Sequence, residues 1–253
     1  MSWNLVKYVL TASVRDRLLV SLALVLVVAS CVSVFLGSSA VAEKASFALV
    51  FAAGGLRVAG TFGLVLFVIF FIRRSFDARD VELLLSRPVG RIEFLLSYSL
   101  AFSILAVGMA LAQGLCLFIL GPYSFGAGHL AWILSIAAEN IIMVNTALFF
   151  SMILTSAATA AMATAGLYVL SRMMGQLLGI MDAHLMAGSP AKFLELPMKG
   201  VSVVLPRLDL MGQTSWLIYP ESVLSFNVIL FQGAAFVFLV VLASIVDLVR
   251  RQF

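Results

Sequence analysis

Three ionisable residues, Arg57, Glu139 and Arg172, stand inside long apolar runs, accompanied by Asn140, Asn145 and Gln176. A charge in such surroundings is costly unless it faces an opposite charge, protein polar groups or a water-filled path. Catalysis is not indicated, because the usual partners are missing. Cys31 and Cys116 lie in separate apolar runs with no partner at redox or metal spacing, so they read as packed thiols. His129 and His184 have no Cys or Asp neighbours at zinc-ligand spacing, and no metal site is expected. No G-x-x-x-x-G-K-S/T loop is present to cradle a nucleotide. An intramembrane serine protease would need Gly-x-Ser-Gly and a helical His. Gly188-Ser189-Pro190 and Gly212-Gln213-Thr214-Ser215 do not supply the first, and His184 falls in an expected loop.

Two uses remain for the buried charges: a polar lining to a transport path, or an ion pair that fixes helix packing. Glu139 lies about ten residues below the outer end of its apolar run and Arg172 about eight below the outer end of the next. At about 1.5 Å per residue these depths are similar, so a Glu139–Arg172 pair is expected, with Arg57 at comparable depth as a competitor.

A second concentration of charge is Phe76 to Phe94, F-D-A-R-D-V-E-L-L-L-S-R-P-V-G-R-I-E-F. Asp77, Asp80 and Glu82 come early and Arg87 and Arg91 late, the order that complements a helix dipole. Val81, Leu84 and Leu85 give an apolar side, and Pro88 stops the helix. A short amphipathic helix of this kind docks into a partner's groove; the alternative is that it rests on the bilayer.

These residues are positioned by apolar segments. The chain has 253 residues, 63% of them hydrophobic and 11% charged, with a mean hydropathy of +1.14. A soluble domain carries about 25% charged residues, so this is a multispanning membrane protein. The net charge of +4 reads as basic residues kept on the cytoplasmic side. No basic patch with interleaved aromatics points to nucleic acid.

Spans are expected at about 18–36, 47–72, 94–120, 130–154, 157–180 and 223–246. Ala40-Val41-Ala42 resembles a cleavage site, but the run before it exceeds a signal-peptide core, and retention is favoured. Before the first span, Trp3, Val6, Leu10 and Val14 share one helical face and Lys7, Thr11 and Arg15 the other. That pattern suits an interfacial helix over residues 1–17, or else the polar start of the first span. In the second span Gly55, Ala59 and Gly63 recur every fourth residue and would let another helix approach closely. Thr155-Ser156 is a tight connection. Residues 181–222 form a long outer segment, broken by Pro197 and Pro206, read as one or two helices on or dipping into the outer leaflet. With the N-terminus inside, ten basic residues lie inside (Lys7, Arg15, Arg17, Arg73, Arg74, Arg79, Arg87, Arg91, Arg250, Arg251) and four outside (Lys44, Lys192, Lys199, Arg207). Both termini are therefore expected in the cytoplasm.

The run Glu82-Leu83-Leu84-Leu85-Ser86-Arg87-Pro88-Val89-Gly90-Arg91, followed by Glu93-Phe94-Leu95-Leu96, resembles the E-L-L-L-S-x-P-V-S-R-x-E-F-L-L segment of type-2 ABC exporter permeases. The six-span plan, the N-terminal interfacial helix, the outer segment and Leu205-Pro206-Arg207-Leu208-Asp209 within it also resemble that family, over most of the chain. Arg74-Ser75-Phe76-Asp77-Ala78-Arg79 departs from the acidic, glycine-containing run that often precedes the motif. The resemblance implies an all-α polytopic permease of the cytoplasmic (inner) membrane, not itself an enzyme. Asp77, Arg79, Asp80, Glu82, Leu84, Leu85, Ser86, Arg87 and Pro88 would couple it to an ATPase. It implies two P-loop ATPase subunits holding ATP and Mg, and a second permease making a homo- or heterodimer. Relatives of similar layout serve copper-site assembly or export drugs and polysaccharides. A secondary transporter or channel is the alternative, expected to show repeats or broken spans; no clear repeat between halves is visible.

Overall fold

The computed structural model describes residues 2–39, 44–77, 90–120, 126–186, 200–202, 205–219 and 226–250. Among these there is no strand. Seven long helices occur in order: α1 (Trp3–Val14), α2 (Arg17–Ser38), α3 (Lys44–Asp77), α4 (Arg91–Leu120), α5 (Ala127–Ile153), α6 (Ala157–Met186) and α7 (Phe226–Arg250). Helices α2, α3, α4, α5 and α7 are long and apolar enough to cross a membrane. In a medium without water each backbone amide must be satisfied within the segment, and an uninterrupted helix does this. The 30-residue α6 is long enough, but it carries Arg172 and Gln176 and is not among the five.

Each expected span corresponds to a helix, and several helices run further. α3 continues through Arg73 and Arg74 to Asp77, because nothing before residue 78 breaks it and arginine is a good helix former. α6 continues to Met186, so His184 lies in a helix and not in a loop, which corrects the expectation from sequence. The break at 154–156 is the tight connection: the Ser156 hydroxyl accepts from the Ala158 amide at 3.2 Å and restarts the chain as α6.

α5 is central and packs against α3, α4, α6 and α7. α2 packs mainly on α3, and α1 lies against α4. The buried face of α1 is Leu5, Val6, Val9 and Ser13. On the face expected to lie in the interface plane, Trp3 and Val14 are 55% and 68% exposed, whereas Val6 is buried. One side of α1 thus meets α4, and Trp3, Tyr8 and Val14 are left outward. The Ser2 amide donates to Ser97 Oγ of α4 at 3.2 Å.

Aromatic rings join α3 to α4 at the end of the bundle that carries α1. Phe71 and Phe102 meet edge-on with centroids 5.7 Å apart, as do Phe67 and Phe102 at 6.4 Å, and Phe71 and Tyr98 meet at a tilt at 6.5 Å. Such pairs are each worth about 0.5–1.5 kcal/mol beyond the area they bury. The two helices on either side of 78–89 are thus fastened to each other.

The small-residue stripe of α3 is used only in part. The place of a side chain at Gly63 is taken by Leu22 of α2, and Ala59 lines the same seam. Gly55 has nothing within 4 Å of where its Cβ would be, so it is not a point of close approach in this chain. Gly60, off the stripe, is closely approached instead, by the Gln113 amide of α4.

Candidate functional site

Glu139, Arg172 and Arg57 do converge. Glu139 projects from α5 with no exposed side-chain surface, and Arg172 Nη1 from α6 stands 3.4 Å from its Oε2. Tyr168, one turn before Arg172 on the same helix, donates its hydroxyl to Glu139 Oε1 at 2.9 Å. The tight 154–156 connection makes α5 and α6 antiparallel neighbours, so matched depth becomes contact.

Arg57 is not a competitor for Glu139 as expected; it joins the cluster from α3 through a third group. That group is the segment 205–219, which folds down as two short 3₁₀ turns, Leu208–Leu210 against α6 and Thr214–Leu217 against α5 and α3. Irregular backbone inside a bundle leaves carbonyls without intrahelical donors. The arginines supply them. Arg57 Nη1 donates to the Gly212 carbonyl at 2.6 Å. Arg172 Nη1 donates to the Met211 carbonyl at 2.9 Å and also to that of Leu208. The Gly212 amide donates to Ser135 Oγ of α5 at 2.5 Å.

Gly212 is the tip, at φ +59°, a conformation that costs a side-chain-bearing residue about 1–2 kcal/mol. A Cβ there would lie 3.2 Å from Arg57 Cδ and 3.3 Å from Glu139 Oε2. Both charged groups therefore reach the same point under the loop. On the α6 side, Gly175 leaves room for the Arg207–Asp209 ion pair, closed at 2.8 Å. The cluster holds two guanidiniums and one carboxylate, and the loop's carbonyl dipoles offset the remaining positive charge.

The other expected polar residues sit elsewhere. Asn140, fully buried, accepts from Thr61 of α3 at 3.0 Å and donates to Gln113 of α4 at 3.2 Å, and Gln113 donates to the Leu56 carbonyl at 2.7 Å. This chain of bonds ties α3, α4 and α5 together, with its buried amides satisfied. Asn145 accepts from Ser99 at 2.5 Å and donates to Ser103 at 3.2 Å. Those two serines line an apolar groove of ≈ 580 Å³ between α4, α5 and α7. Gln176 is exposed and outside the cluster.

Arg79, Asp80, Glu82, Leu84, Leu85, Ser86, Arg87 and Pro88 lie outside the described residues, and Asp77 is described only as the last residue of α3. No group of three or more His, Cys, Asp or Glu able to hold a metal ion occurs among the described residues. Sequence reasoning missed Tyr168, Ser135 and Gln113. The first two were within reach: Tyr168 precedes Arg172, and Ser135 precedes Glu139, by four residues, one helical turn on the same face. Gly212 carried no signal beyond being a glycine in a polar stretch.

No protein-family model matches this chain, and no curated protein matches it.

Proposed function

We propose that this chain is the membrane-spanning permease subunit of an ATP-driven transporter, similar in plan to type-2 ABC exporters. It moves a substrate by alternating access while a separate P-loop ATPase binds and hydrolyses ATP with Mg. The observation that carries this reading is α3. One uninterrupted helix holds Arg57 in the buried cluster and ends at Asp77, where the charged stretch begins. Between these points the aromatic rings fasten it to α4, the helix that leaves the same stretch. A push on residues 78–89 is delivered to both helices as one body, and packed rigid elements carry such coupling.

In this reading α6 is the fifth of six spans, tolerated in the bilayer because Arg172 is paired with Glu139 and with carbonyls. The N- and C-termini face the cytoplasm and the protein lies in the inner membrane. The 205–219 segment then closes the outer end of the path, over Arg57, Glu139 and Arg172. Two ATPase subunits and a second permease complete the unit.

The test is co-purification with a P-loop ATPase from native membranes, for the wild type and for the combined charge reversal of Asp80, Glu82 and Arg87. The reversal is expected to release the ATPase while the permease stays in the membrane. An ATPase that still binds the reversed protein would show that the stretch is not the coupling element.

A further inference from the structure

At the α1 end of the bundle, the turn between α1 and α2 and the end of α3 enclose a notch of ≈ 420 Å³. Arg15, Arg17 and Arg74 line it, with Asp16 as the counter-charge, paired to Arg74. Among the described residues that line it, three arginines stand against one aspartate, an excess of two positive charges. Arg15 and Arg17 are exposed, and the Arg74 side chain keeps 60% of its surface even while paired. Tyr8 stands at the mouth, and Ala12 and Phe71 form the apolar back. Guanidiniums arranged in this way suit the oxygens of a phosphate.

The notch does not end blindly. On α2, Arg17, Ser21 and Val25 follow at four-residue steps along one face, as do Arg74, Phe70 and Leu66 on α3. Ser21, Val25, Leu66 and Phe70, with Ala59 and Gly63, line a second groove of ≈ 210 Å³ in the seam between α2 and α3. Val25, Leu66 and Phe70 are between 42% and 48% exposed, so the seam is open on its outer side. From Arg74 to Gly63 is eleven residues. At about 1.5 Å per residue this is ~16 Å, close to half of the ~30 Å hydrocarbon core. A cationic notch at the interface, continued by an apolar seam one leaflet deep, is complementary to an amphiphile with an anionic head.

We propose that this composite site binds an anionic phospholipid of the inner leaflet, its phosphate at Arg15, Arg17 and Arg74 and one acyl chain in the α2–α3 seam. The proposal rests on the inward placement of the N-terminus given above. Basic pockets between helices at the cytoplasmic face recognise such headgroups. The lipid would bridge the interfacial helix to the seam of α3, the helix on which the coupling reading depends.

The experiment is native mass spectrometry of the delipidated full chain with phosphatidylglycerol, phosphatidylcholine or inorganic phosphate added. Phosphatidylglycerol is expected to be retained in preference to phosphatidylcholine. In Arg15→Gln/Arg17→Gln that preference should fall about 30-fold, at the usual attraction per basic residue near an anionic surface. Arg74 is left intact because it pairs with Asp16. Val25→Trp, which fills the seam, should weaken both lipids while leaving inorganic phosphate unaffected. Unchanged preference in the double glutamine variant overturns the proposal, and so does displacement of the lipid by equimolar inorganic phosphate. Folding of each variant is checked by its melting temperature. Labelling of Ser2→Cys, in a Cys31→Ser/Cys116→Ser background, by a membrane-impermeant reagent on spheroplasts tests orientation separately. Labelling there would refute the inward N-terminus without touching the binding result.

Discussion

Replacing Gly212 by alanine isolates the seat of the 205–219 segment. The residue has φ +59°, which costs a side-chain-bearing residue about 1–2 kcal/mol. The new Cβ would stand 2.7 Å from Ile136 Cδ1, 3.2 Å from Arg57 Cδ and 3.3 Å from Glu139 Oε2. Ile136 is fully buried and has little room to turn away. Overpacking of this kind costs about 1–3 kcal/mol. Together the two effects should destabilise the seated loop by about 2–5 kcal/mol, or roughly 30- to 5000-fold in its opening equilibrium. The reporter is the Gly212 amide's bond to Ser135 Oγ, carried by residue 212 whether glycine or alanine. Hydrogen exchange of the 205–219 peptide in nanodiscs should accelerate by that factor, while α4 and α5 keep their protection. Gly233→Ala is the control, since a Cβ there makes only ordinary contacts of 3.7 to 3.9 Å and the backbone is helical. Wild-type exchange in Gly212→Ala, or equal acceleration in Gly233→Ala, would refute the reasoning.

The carboxylate of Glu139 should matter to transport more than to assembly. Glu139→Gln keeps a hydrogen-bond acceptor for Tyr168 but removes the carboxylate paired with Arg172, and transport should fall with near-normal membrane levels; normal transport at normal levels would leave it a packing residue. Tyr168→Phe deletes one 2.9 Å bond to a charged group, a change worth about 1.5–3 kcal/mol. Its melting temperature should drop measurably, and an unchanged value would mean that water replaces the hydroxyl.

Apolar run length makes the helices legible, because a bilayer forces each crossing to be one helix of about 20 residues. Depth counting found the Glu139–Arg172 pair because a tight turn at 155–156 leaves no freedom of register between α5 and α6. The same counting could not decide Arg57, whose partner is a carbonyl of a loop 155 residues away in sequence. A dip of this segment was among the readings, but its seat over the arginines was invisible for a related reason. Segment 205–219 has no helical or strand period, and its placement comes from arginine donors on other elements. The side of α1 that meets α4 was not legible for another reason. With Leu5, Val6, Val9, Leu10 and Val14 on the helix, apolar positions run around too much of the surface for periodicity to choose the side that meets α4. Gly55, Ala59 and Gly63 show the limit of a stripe: spacing permits close approach, but only at Gly63 does a neighbour take the space.

The central claim is that residues 78–89 join this chain to an ATPase. Affinity purification of the tagged chain from its own membranes, with and without Asp80→Lys/Glu82→Lys/Arg87→Glu, measures it most directly. A P-loop ATPase should accompany the wild type at one copy per permease and be absent from the variant, with both forms equally abundant in the membrane. Wild-type protein that purifies without any such ATPase, or a variant that retains it in full, would contradict the claim.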